Sequence, residues 1–148
     1  MNLSQWGLAA VLVLNVLWFG AGALYFGVTA ASATKLLISR HARHSPLFKT
    51  VSASIRFLGG MNLAFAVLSG VMLFNPALFP EGKQVAALTF VLALAHGTQF
   101  AANVPVALEG NDRGDAPWPV LSGLMFFIFL MDFTLMLANA AVAVRIAT

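Results

Sequence analysis

The chain has 148 residues, of which 60% are hydrophobic and only 9% are charged, with a formal net charge of +3. Soluble domains carry roughly a quarter charged residues, so this composition argues against a water-soluble fold. The complete lack of cysteine excludes disulfides, thiolate-held metals and iron–sulfur clusters, and nothing in the sequence names another cofactor.

A bilayer core about 30 Å thick takes about 20 helical residues to cross. Four apolar segments are long enough, at residues 6–28, 51–74, 84–108 and 119–144. Strands are not an option, because unpaired backbone groups are too costly in lipid and the alternation of a membrane barrel is missing. The prediction is an all-α fold: one domain, residues 1–148, formed as an integral membrane bundle of four transmembrane helices. The loops leave no room for a second, water-soluble domain.

The first segment, residues 6–28, reads as a membrane span and not as a signal peptide. The five residues before it hold no Lys or Arg, and it is longer than a signal core. It carries one strongly polar residue, Asn15, and a small-residue pair, Ala23 and Gly27, four apart as helix-packing surfaces require. The loop that follows, residues 29–50, concentrates Lys35, Arg40, Arg43 and Lys49. Its stretch Lys35-Leu-Leu-Ile38 is rich in helix formers and extends the first helix. The pI of about 10.0 reflects this loop, and anionic lipid headgroups suit it better than nucleic acid, which is not an expected partner. His41 and His44 have helical ligand spacing, but the cations around them and the lack of a nearby carboxylate argue against a metal.

The second segment begins with Arg56-Phe-Leu-Gly59-Gly60-Met-Asn62-Leu-Ala64. Arg56 enters five residues from its start and is placed to snorkel to the headgroups or to meet a carboxylate. Gly59, Gly60 and the pair Ala66 and Gly70 make smooth packing patches. This run of about ten residues resembles the Arg-x-x-Gly-Gly pattern of small four-helix DoxX-like membrane proteins. The resemblance implies a four-helix bundle and, for some relatives, association with quinone-linked oxidoreductases. It implies no catalytic residue here.

A short turn, residues 75–83, leads into the third segment, where His96, Gln99 and Asn103 follow the spacing that keeps side chains on one helical face. Pro105 is expected to kink this helix and free the carbonyl of Ala101. The third loop, residues 109–118, is polar, with Gly110, Gly114 and Pro117. The fourth segment carries Asp132 and Asn139, seven apart and on a shared face. Lys and Arg number five on the side of the first and third loops (35, 40, 43, 49, 113) and two on the other (83, 145). The positive-inside rule makes the first side cytoplasmic and places both termini outside, in what is expected to be a bacterial inner membrane.

Ionisable groups inside a bilayer cost at least about 2.5 kcal/mol at its centre, so each requires a partner or a purpose. Depth can be counted from the cytoplasmic end of each segment: Asn15 lies 13 residues in, Asn62 11, His96 12 and Asp132 13. At about 1.5 Å per residue these differ by only about 3 Å, so all four helices supply a polar group to one mid-membrane layer. The structural expectation is a His96–Asp132 hydrogen bond with asparagines bridging helices. The functional expectation is a ligand site formed by Asn15, Arg56, Asn62, His96, Gln99, Asn103 and Asp132, walled by Trp18, Phe65, Phe100, Phe126 and Phe133. His96 offers one axial ligand to a haem, but no second intramembrane histidine exists, so a bis-histidine site is not expected.

The leading expectation is a small accessory subunit or homo-oligomer that contacts membrane lipids and a protein partner or a second copy, and holds a lipophilic ligand. The alternatives are a membrane enzyme moving a proton on a lipophilic substrate, with His96 as acid or base and Asp132 orienting it, or a conductor of protons or solutes. Phosphate-binding loops, nucleophile elbows and paired-histidine zinc helices are absent from the sequence.

Overall fold

The computed structural model describes residues 3–113 and 117–148; Gly114 of the third loop lies outside them. Among the described residues the structure is helical, with no strand. α1 covers Leu3–Gly22 and runs straight into a π-helical turn, Ala23–Val28. The wider turn shows in Thr29, whose N–H donates 3.1 Å to the carbonyl of Leu24, five residues back. Its hydroxyl donates to the carbonyl of Tyr25 at 2.9 Å. Such single π turns shift the faces of all that follows by one residue. The sequence pattern gives no hint of it.

α2, Ala30–Leu37, is the anticipated extension. Its open C-terminal end is closed by Arg43, which folds back to donate from Nη2 to Lys35 O (2.8 Å) and from Nε to Ile38 O (3.3 Å). Arg43 is therefore a helix cap. A 3-10 turn at His41–His44 leads to α3, Pro46–Phe74. α3 starts five residues before the expected boundary because Ser45 caps it, accepting from Leu47 N at 3.2 Å, and Pro46 occupies the first turn.

A second 3-10 turn, Pro76–Leu78, precedes α4, Gly82–Arg113. α4 continues through Pro105 and past residue 108, so the proline does not end it. α5, Gly123–Ala147, starts four residues later than residue 119. Ser122 is extended and Gly123 sits at φ 56°, a left-handed conformation that glycine adopts without steric cost.

α3 packs along α1, its π turn and α2, while α4 packs along α5, and α1 also meets α5. The α1–α3 crossing is built on glycine. A Cβ on Gly59 would collide with the backbone N and Cα of Gly27, and one on Gly22 would fall 2.7 Å from Asn62 Oδ1. Gly60, by contrast, faces open space. Leu12, Phe19, Met72 and Leu92 form the apolar centre. Ser52 Oγ donates 3.0 Å to Thr34 Oγ1 and ties α3 to α2.

The polarity is that of a protein dissolved in lipid. Leu17, Phe57, Phe74 and Leu130 are exposed, whereas Asn15, Asn62, Thr89, His96, Asp132 and Asn139 are buried. Four helices are long and apolar enough to span a bilayer, and with this inside-out polarity the chain is an integral membrane bundle. Lys35 to Arg40 and Arg43 on one side and Pro117 to Ser122 on the other line one cavity of about 650 Å³, so the first and third loops share one end of the bundle.

Candidate functional site

Three helices meet at a buried polar chain. His96 of α4 places Nδ1 3.0 Å from Asp132 Oδ1 on α5 and Nε2 3.0 Å from Asn15 Oδ1 on α1. Asn15 and Asn139 form a reciprocal amide pair: Asn15 Nδ2 donates to Asn139 Oδ1 (2.8 Å) and Asn139 Nδ2 donates to Asn15 Oδ1 (3.1 Å). Asn139 Nδ2 also donates to the carbonyl of Leu135 at 2.8 Å. Trp18, one turn on from Asn15, donates its indole N–H to Asp132 Oδ1 at 3.0 Å. Phe19 stacks on the imidazole, with centroids 4.4 Å apart and planes at 19°. His96, Asp132, Asn15 and Asn139 have no solvent exposure.

The bonds fix where the protons are. The Leu135 carbonyl only accepts, so it orients the Asn139 amide; that amide orients Asn15, whose oxygen must then face His96. Nε2 therefore carries a hydrogen. On the other side of the ring, Nδ1 and Oδ1 need one proton between them, since a bare ring nitrogen against a carboxylate would set lone pair against lone pair. Imidazolium with carboxylate and neutral imidazole with carboxylic acid both satisfy this, with the same proton count and no net charge. Asp132 Oδ2 is the one buried side-chain polar atom without a hydrogen-bond partner among the described residues.

Beside this chain lies a second feature, a cleft of about 620 Å³ open at the flank of the bundle. Its walls are largely apolar and include Trp18, Leu24, Tyr25, Leu124, Phe127 and Ile128, with Trp18 and Phe127 edge to face at 5.6 Å. The π turn supplies one lip. Two amides enter the lining, Asn62 from α3 and Gln99 from α4. Each gives one N–H to its own helix: Asn62 Nδ2 donates to Leu58 O (2.8 Å) and Gln99 Nε2 to Ala95 O (3.4 Å). Trp18 is the link between the cleft and the buried chain, lining one and bonded to the other.

Of the residues singled out by sequence, the structure joins Asn15, His96 and Asp132 directly and sets Asn62 and Gln99 in the neighbouring cleft. Asn103 is in neither; its Nδ2 donates to Gln99 O (2.9 Å) and its Oδ1 accepts from Trp118 Nε1 (3.0 Å), pinning the third loop. Arg56 stands apart, exposed on α3 and bonded to no carboxylate among the described residues. Phe65 packs on Phe19, Phe100 stacks on Phe129 and lies tilted against Phe133 across α4 and α5, and Phe126 is exposed. Both ring nitrogens of His96 are engaged, so neither is free for a haem iron. His41 and His44 are exposed, and among the described residues no three potential metal ligands cluster. Sequence reasoning took Trp18 for wall alone, although its spacing of three from Asn15 already put both on one face. The chain matches no family model, and comparison with curated proteins and with solved structures returns no match.

Proposed function

We propose that this protein is a non-catalytic membrane component, an accessory subunit or a homo-oligomer, that holds a lipophilic molecule in the lateral cleft. The observation that carries this is the cleft itself. Its volume of about 620 Å³ falls within the range of about 300–1,000 Å³ usual for ligand sites, and apolar walls with a few placed polar groups are their usual chemistry. The buried His96 chain serves as the scaffold that holds Trp18 in the wall. In this reading the basic loop end faces the cytoplasm.

Gentle extraction followed by native mass spectrometry tests the proposal. The wild-type protein should carry a lipophile of defined mass, on its own or with a protein partner. Ala21 is exposed and lines the cleft, so Ala21→Phe should fill it and abolish the adduct without unfolding the bundle. A wild-type protein that retains nothing, or an adduct indifferent to Ala21→Phe, rejects the reading.

A second reading, proton movement through the bundle, draws on the unpartnered Asp132 Oδ2. It predicts that liposomes containing the protein leak protons and that His96→Gln stops the leak. The binding reading predicts liposomes as tight as empty ones.

A further inference from the structure

A recess of about 650 Å³ lies at the end of the bundle where the first and third loops meet, and it shares no lining residue with the lateral cleft. Three cations line it, Lys35 from the last turn of α2 and Arg40 and Arg43 from the loop beyond, and no carboxylate among the described residues joins them. Lys35 and Arg40 are exposed and have no ion-pair partner among the described residues. Arg43 is held: two of its five N–H groups are spent on the carbonyls of Lys35 and Ile38, which fixes its charge in place. The wall from the third loop is fixed as well, because Trp118 donates its indole N–H to Asn103 Oδ1 of α4 at 3.0 Å. Much of the remaining lining is apolar and includes Leu37, Val106 and Leu121.

A free anion would satisfy the cations of such a recess and leave its apolar walls wet. A zwitterionic lipid would cover the walls but bring its own ammonium up to the cations. An anionic lipid does both jobs without either cost. Basic loops attract anionic membranes diffusely, charge by charge, whereas an anchored guanidinium between apolar walls holds one molecule in one place. We propose that the recess between the first and third loops is a saturable site for one anionic phospholipid. Its phosphate meets Lys35, Arg40 and Arg43, and the upper part of its acyl chains lies against Leu37, Val106 and Leu121. Neither the occupant of the lateral cleft nor the side of the membrane that this end faces bears on it.

The test uses the full chain in phosphatidylcholine nanodiscs doped with a photoreactive phosphatidylglycerol that carries a diazirine near the glycerol end of one acyl chain, with peptide mapping of the crosslinks. Labelling should fall on peptides from residues 35–43 and 117–122 and saturate. Unlabelled phosphatidylglycerol should displace the label, whereas the same mole fraction of phosphatidylethanolamine should not. Lys35→Gln and Arg40→Gln, both at exposed positions, should each raise the mole fraction needed for half-saturation about fivefold, the change that one cation near an anionic headgroup supplies. Lys49→Gln removes the same charge from the exposed first turn of α3, outside the recess, and should shift it by less than about twofold. An equal shift with Lys49→Gln means diffuse attraction and overturns the site, as does equal displacement by phosphatidylethanolamine or labelling that misses those peptides. Inorganic phosphate at matched ionic strength should leave the label in place; displacement by it overturns the lipid as occupant and makes the recess a site for a free anion.

Discussion

Asp132→Asn looks conservative and should not be. Asp132 Oδ1 serves two neighbours at once: it accepts from Trp18 Nε1 and shares a proton with His96 Nδ1. A carboxylate accepts from both, and a carboxylic acid accepts from one while donating to the other. Beside a neutral ring an amide does neither, because its oxygen cannot donate to a bare Nδ1 and its NH2 cannot accept from Trp18; beside an imidazolium its oxygen accepts from both but leaves a buried cation without a counter-charge. Switching His96 to the other tautomer only moves the mismatch to Asn15, then to Asn139 and finally to the Leu135 carbonyl. One buried group stays unsatisfied wherever the error settles, at a cost of about 1–3 kcal/mol. Trp18→Phe alone removes one interhelical hydrogen bond, about 1–2 kcal/mol. Combined with Asp132→Asn it also removes the donor that blocks the amide from turning its NH2 toward His96. The double variant should therefore be no less stable than Asp132→Asn alone, about 1–2 kcal/mol better than the sum of the singles. Reversible unfolding in mixed micelles, followed by far-ultraviolet circular dichroism, measures all three. Costs that add to within about 0.5 kcal/mol would refute the proton assignment at Oδ1.

Nitrogen-15 spectroscopy of labelled histidine should show a hydrogen on His96 Nε2; a bare Nε2 would contradict the amide chain that starts at Leu135. The neighbouring glycines should behave oppositely. Gly59→Ala forces backbone apart at Gly27 and should destabilise by about 1–3 kcal/mol, whereas Gly60→Ala, facing open space, should stay within about 0.5 kcal/mol of wild type; the same unfolding assay separates them, and equal effects would contradict the α1–α3 crossing. Arg56→Gln should leave stability within about 0.5 kcal/mol, since the guanidinium has no partner among the described residues; a larger loss in the same assay would mean that Arg56 anchors the bundle.

The spans were legible because a bilayer imposes length and polarity, and the depth count found Asn15, His96 and Asp132 because antiparallel helices of known rise share a ruler. Depth is only one coordinate. Asn62 lies in the same layer, yet the rotation of α3 turns it toward the cleft, and no count along the chain contains that angle. Arg56 shows the same limit: its depth suggested a partner, and its azimuth gives it none. The early start of α3 was readable in Ser45-Pro46, a capping residue followed by a first-turn proline. The π turn was not, because its backbone shift leaves hydropathy unchanged. The cleft was out of reach for a related reason: it arises where the π turn, α4 and α5 fail to close against one another, a property of surfaces and not of any one segment.

The polar chain joins α1, α4 and α5 and leaves α3 out. Three helices are thus keyed to one another, since turning any of them breaks directional bonds that lipid cannot replace. α3 is fastened mainly by fit, through glycine contact and apolar packing, with Ser52–Thr34 as its polar tie near one end. The bundle is in effect a rigid tripod with a fourth leg laid against it, and Asn62, on that leg, is the part of the cleft whose position answers to shape alone.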